Sequence, residues 1–174
     1  MAAYESPGET DDWYTPSYIF SALGERFDLD VAAPKEGPRH VPADAWHSDL
    51  SLILPWWGFV WMNPPFGHQN VKRDWLQKFF FHGNGIALVP DRTSAPWWQE
   101  AAQLSDVILF VSGKIKFERP DGTIGESPGT GTCLLATGDR AVKSLLRSGL
   151  GFALANGTKT DHESVASGVA GGNP

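Results

Sequence analysis

The stretch "VWMNPPF" at positions 60–66 sets an asparagine, two prolines and a phenylalanine directly after an apolar run. Proline carries a carbonyl but no N–H, so it can accept a hydrogen bond and cannot donate one. Asn63 therefore offers a side-chain acceptor and Pro64 a backbone acceptor. Pro65 stiffens the chain that aims them, and Phe66 adds a flat apolar face. These groups suit a planar ring bearing an exocyclic amine: two acceptors take the two amine hydrogens while the aromatic face stacks on the ring. Held in this way, the amine lone pair is drawn out of conjugation and becomes nucleophilic without a strongly basic side chain. A methyl group on a sulfonium donor can then be transferred in line, by positioning and electrostatics. The plainer alternative is a Pro-Pro turn, with Asn63 capping the strand end and Phe66 in the core. At average residue usage, with Pro about 5%, such a string arises by chance on the order of once in several hundred chains. The chemical reading outweighs the turn.

Such a site needs strands that end where it lies. "FDLDVAA" at 27–33 reads as a short strand, and "GFVWMN" at 58–63 as a second, stopped by Pro64 and Pro65. "GIALVP" at 85–90 and "DVILFVS" at 106–112 are continuous apolar runs, as in buried parallel strands. Between them, "QNVKRDWLQKFFFHG" has Val71, Trp75, Leu76 and Phe79 at helical spacing, and "SAPWWQEAAQL" at 94–104 starts with a helix-compatible Pro. In "TPSYIFSALGERF", Thr15 is the expected N-cap and Pro16 the first helical residue. Residues 34–55 show little periodicity and read mostly as loop. "KIKFERPDGTIGESPGTGTCLLAT" reads as strand, Asp-Gly turn, loop and strand, followed by a helix over 139–148 and a last strand "GFALA".

Strands alternating with helices predict an α/β fold with a mostly parallel sheet and an antiparallel strand toward the C-terminal end. The expected division is a flexible arm over 1–11, one catalytic domain over 12–155, and a disordered tail over 156–174 with few large apolar residues. Ligands of an open parallel sheet bind beyond the carboxyl ends of its strands. Asp28 and Asp30, then Asn63, then "PDRTS" after the third strand fall at such ends.

Composition excludes several classes. The 174 residues suit one domain, and 41% hydrophobic with 20% charged residues is ordinary for a globular chain. No apolar run has membrane-spanning length and no signal peptide opens the chain, so a cytoplasmic location is expected. One cysteine, Cys133, leaves no internal disulfide and no cysteine metal cage, and the five histidines show no metal-ligand spacing. The net charge of −6 divides unevenly. Residues 1–70 hold three Lys/Arg against ten Asp/Glu, and residues 71–150 hold ten against eight. That mildly basic middle would let one face approach phosphates. Most of the eight tryptophans are expected in the core.

From about Asp12 to Thr137 the chain resembles the phage-type DNA adenine-N6 methyltransferases, small relatives of the Dam enzymes. The resemblance rests on "DDWYTPSYIFSALGERFDLDVAA", "SDLSLILPWWGFVWMNPPF", "ALVPDRTSAPWW" and "GKIKFE". It implies a Rossmann-like methyltransferase dependent on S-adenosyl-L-methionine and acting on double-stranded DNA. Asn63 and the Pro64 carbonyl would hold the adenine amine, with Pro65 as stiffener and Phe66 stacked on a flipped base. Trp13, Tyr14, Thr15 and Pro16 correspond to the element lying against the cofactor. Asp30 corresponds to the acidic residue closing its pocket, with Ala32 in the turn that follows. Asp49 matches a later position near the adenosine, for which Asp44 competes.

The same resemblance suggests DNA contacts from Lys114, Lys116 and Phe117 in "GKIKFE", and from Arg92. The alternative for the lysines is an outward-facing edge strand. "DVAAPKEG" stands where many methyltransferases carry a glycine-rich turn. That departure favours a second possibility, a DNA-binding relative without catalysis; a third is methylation of an RNA base or a protein glutamine. GATC is the first recognition sequence to test, in a protein serving restriction-modification or regulation. If the chain is phage-encoded, its compartment is the bacterial host cytoplasm.

Overall fold

The computed structural model describes residues 13–65, 69–126 and 129–156. Its elements are α1 (Ser17–Leu23), β1 (Phe27–Asp30), β2 (Ala43–Trp46), β3 (Val60–Met62), α2 (Gln69–His82) and β4 (Gly85–Pro90). They continue with α3 (Pro96–Leu104), β5 (Val107–Val111), β6 (Thr132–Thr137), α4 (Asp139–Arg147) and β7 (Gly151–Ala155). All seven strands form one sheet in the order β2-β1-β3-β4-β6-β5-β7. The neighbours β2, β1, β3 and β4 pair in parallel. The strand β6 runs antiparallel to both β4 and β5, and β7 runs antiparallel to β5.

Both faces of the sheet are covered, which is why β3, β4 and β6 are buried at every position instead of alternating. On one face Phe59, Trp61, Ile86, Leu88, Leu109 and Leu134 pack against Ile19, Phe20 and Leu23 of α1 and Ala141 and Leu145 of α4. On the other, Val60, Met62, Ala87, Val89 and Leu135 meet Trp75, Leu76 and Phe79 of α2 and Trp97, Trp98 and Ala101 of α3. Four of the tryptophans, Trp61, Trp75, Trp97 and Trp98, are therefore core. The segment between β2 and β3 is held by α2. The ammonium of Lys78 donates to the carbonyls of Ser51, at 2.7 Å, and Leu52, at 3.0 Å, and also to that of Leu54. The indole of Trp56 leans on Trp75.

The structure corrects several expectations. Residues 34–55 contain β2, a four-residue edge strand whose half-buried, exposed alternation is too short to stand out as a pattern. Antiparallel pairing is not confined to a C-terminal edge: β6 lies inside the sheet, between β4 and β5. The expected strand over "KIKFE" does not form; only Glu118 bridges, to Tyr14 and to Ile124. The Asp-Gly turn is present, with Asp121 accepting from the Thr123 N–H at 2.8 Å and Gly122 at φ 85°. Thr15 does not cap α1, whose N-cap is Pro16 with no side-chain hydrogen bond.

The register of β1 against β3 is pinned at its amino end. Asp28 accepts from the Phe59 N–H at 2.6 Å, while its own N–H donates to the Phe59 carbonyl at 2.8 Å. Asp28 is thus structural. Its carboxylate lies where a Cβ on Gly58 would sit, 2.3 Å from Oδ2, and Gly58 has φ 63°. Gly58→Ala should therefore destabilise the protein by roughly 1–3 kcal/mol, from clash and left-handed strain together. Urea unfolding should show a lower midpoint at unchanged slope; a wild-type midpoint would contradict this account.

Candidate active site

The chain leaves β1 for β2 on one side and then returns to β3 on the other, so the strand order reverses between β1 and β3. Such a reversal opens a crevice beyond the carboxyl ends of the two strands. Asp30 is the last residue of β1, and Asn63 directly follows β3. Pairing of Asp30 with Trp61, and a 3.0 Å bond from the Val31 N–H to the Trp61 carbonyl, hold the two ends together.

The crevice is lined by Trp13, Tyr14, Thr15, Asp30, Ala32 and Asn63 together with Pro34, Pro38, Arg39, His40, Val41 and Trp61. It encloses about 310 Å³ of atom-free space, counting its open mouth. Six of the residues singled out from the sequence thus come together. Pro16 is buried beside them at the start of α1, and Pro64 is buried behind Asn63 with Pro65 exposed. Phe66 lies outside the described residues.

Two polar groups in the crevice are poorly satisfied. Asp30 is 3% exposed, and its Oδ1 accepts one hydrogen bond, from the Ala32 N–H at 3.1 Å. Burial pushes its carboxyl up to about 7, and that hydrogen bond only partly offsets the shift. Asn63 donates through Nδ2 to the Thr15 hydroxyl at 3.3 Å, and its Oδ1 is buried with no partner among the described residues. A buried acceptor in that state costs the fold free energy. It is also ready to receive a donor from a ligand.

Two of the segments that line the crevice are clasped to a third, distant one. The backbones of Tyr14 and Glu118 exchange two hydrogen bonds, at 2.9 and 3.0 Å. Arg39 donates to the carbonyls of Arg119, at 3.0 Å, and Pro120, at 2.6 Å, and its guanidinium lies 4.0 Å from the centre of the Tyr14 ring. His40 contacts the Glu118 carboxylate at 2.7 Å. Trp13 packs so tightly on Gly125 that a Cβ there would lie 2.5 Å from the ring. Arg39, His40 and Glu118 carry no local signal in the sequence, because they sit in loops without periodicity and meet only through the fold.

Other expected site residues fall elsewhere. Asp49 is exposed beyond β2 and does not line the crevice; Asp44 does not either, being exposed on β2 and accepting from Arg26 Nε at 2.6 Å. Phe117 is corrected: it is 6% exposed and belongs to the core against α1 and α4, so its ring is not available to a displaced base. Alternation explains this, since Ile115 and Phe117 turn inward while Lys114 and Lys116 are exposed. Lys114 reaches the Gly129 carbonyl at 3.4 Å. Arg92 is exposed beyond the carboxyl end of β4. The described residues contain no cluster of metal-ligating side chains and no helix long and apolar enough to cross a membrane.

A family model described as DNA N-6-adenine-methyltransferase (Dam) matches residues 5–148. No curated protein and no solved structure matches the chain. The chain belongs to the Dam family and is an adenine-specific DNA methyltransferase with DNA as its substrate.

Asp30 makes stability depend on pH with a definite sign. Its folded pKa, about 7, lies above the ordinary carboxylate value of 3.8. The group's contribution is therefore most favourable below pH 3.8, declines as pH rises, and levels off above about 7, where both states are ionised. Asp30→Asn keeps an acceptor for Ala32 and removes the charge. Its melting temperature relative to wild type should climb between pH 5 and about 7 and then stay flat; a pH-independent difference would refute the buried-carboxyl assignment.

Proposed function

We propose that this Dam-family chain takes its methyl group from S-adenosyl-L-methionine and transfers it to the N6 amine of an adenine flipped out of double-stranded DNA. The observation that carries this reading is the Asn63 carboxamide oxygen, buried without a partner among the described residues at the strand reversal, in the crevice that Asp30 also lines. The topology supports a Rossmann-like cofactor fold, because the crevice lies at the carboxyl ends of the two strands flanking the reversal.

The residues present fit the donor chemically. S-adenosyl-L-methionine is cationic at sulfur and at its amino group and carries ribose hydroxyls. Asp30 is a buried carboxyl with spare acceptor capacity, and the Thr15 hydroxyl lines the same crevice. Trp13, Tyr14, Thr15, Pro16, Asp30 and Ala32 would hold it, with Arg39 and His40 at the rim. Asp49 lies outside that lining and is assigned no contact here. When bound, the cofactor supplies an electrophilic methyl group on a sulfonium.

The protein's own part is to grip and orient the amine. Asn63 Oδ1 and the Pro64 carbonyl accept its two hydrogens, pulling the lone pair away from the ring. Pro64 and Pro65 fix the direction of both acceptors, and Phe66 is assigned the stacking face. Flipping is required because the amine cannot be reached inside a paired stack. Arg92, Lys114 and Lys116 are exposed and are assigned to the DNA backbone, where they position without reading sequence. Selectivity then falls to short loops and a short recognition sequence, GATC being the first to test.

With labelled donor and unmethylated plasmid DNA, label should appear in N6-methyladenine. Asn63→Ala should cut the rate by on the order of 10²–10³-fold, as loss of a preorganised polar group does, and Phe66→Ala should reduce it strongly. Wild-type activity in Asn63→Ala would overturn the mechanism. Label in RNA or protein alone, or no transfer with this donor, would overturn the substrate or cofactor assignment.

A further inference from the structure

Thr15 breaks a local rule. A threonine just before a proline-led helix is placed to cap it, and a missing cap weakens a helix. Here α1 begins with Pro16 at the N-cap and no side-chain hydrogen bond to its free N–H groups. The Thr15 hydroxyl is turned instead toward Asn63, whose Nδ2 it accepts at 3.3 Å. Thr15 is 5% exposed, and the two-way backbone bridge between Tyr14 and Glu118 fixes the chain next to it. Local preferences given up in this way are expected at functional positions.

The consequence for Asn63 is orientation. A carboxamide has a donor end and an acceptor end, and only the acceptor end can grip an amine hydrogen. With Nδ2 engaged by Thr15, Oδ1 is the end left without a partner among the described residues. A hydroxyl has a single hydrogen. Since Thr15 uses a lone pair toward Asn63, that hydrogen remains for an acceptor in the crevice that Thr15 also lines. When that hydrogen points away from Asn63, only lone pairs face the carboxamide, which favours the orientation with Nδ2 toward Thr15.

We propose that Thr15 is a positioning residue for the methyl transfer, orienting the Asn63 carboxamide rather than serving only to hold the cofactor. The inference rests on the role proposed above for Asn63. Thr15→Val preserves shape and removes the acceptor, so kcat at saturating cofactor and DNA should fall on the order of 10- to 100-fold, a loss that persists after saturation has overcome any change in cofactor affinity measured by titration calorimetry. Thr15→Ser should restore kcat, because it keeps the hydroxyl. Thr15→Ala should repeat the loss, and circular-dichroism melts identify any variant that fails to fold. In an Asn63→Ala background, Thr15→Val should cause no further loss.

Unchanged kcat in Thr15→Val would overturn the proposal. So would a defect that disappears at saturating cofactor, or a Thr15→Ser variant as slow as Thr15→Val. Full activity in Asn63→Ala alone would instead remove the reading of Asn63 itself, so the two failures are distinguishable.

Discussion

The pairing of β1 with β3 is the constraint on which the crevice depends. These strands are neighbours in the sheet and distant in the chain, and they carry Asp30 and Asn63 at their ends. A slip of one residue would turn every side chain of a strand to the opposite face. Asp30 would leave the crevice, and Val60 and Met62 would exchange faces with Phe59 and Trp61. Asp28 guards against this from the far end of β1 by binding the Phe59 N–H, and the arrangement leaves room only for glycine at position 58. A carboxylate outside the crevice thus fixes the position of one inside it.

The crevice is held at a cost to stability. Among the described residues, a buried carboxyl with one hydrogen bond and a buried carboxamide oxygen with none are both unfavourable in an apolar interior. Two apolar layers on opposite faces of the sheet offset them, with helices on each side. The same dissatisfaction makes the groups useful, since a ligand that supplies a cation or an N–H recovers what folding gave up. Thr15 belongs to this pattern, its capping bond exchanged for one to Asn63.

The parts legible in the sequence were those written in local patterns. Buried strands such as "GIALVP", the spacing of Trp75, Leu76 and Phe79 in α2, and the strand-ending Pro64 and Pro65 all follow from short-range rules. Asn63, which lines the crevice, stands out in the sequence because proline removes donors and leaves carbonyls, a purely chemical argument. The order of strands could not: β6 enters between β4 and β5 because of pairing across the sheet, which no local stretch encodes. β2 escaped notice because four residues at a sheet edge carry too little alternation. For Phe117 the family resemblance points to a DNA contact, whereas period-two alternation sends the ring inward. Arg39, His40 and Glu118 were missed because they become neighbours only after the chain has folded.

That last property reaches beyond the site's composition to the order in which the molecule is made. The Arg39 clasp joins residues 80 apart in the chain, and the Tyr14 bridge to Glu118 spans further still. Contacts of such separation carry a large loop-closure cost and are rewarded only once the strands between them are in place. That cost places the clasp among the late contacts of folding, after the sheet it joins.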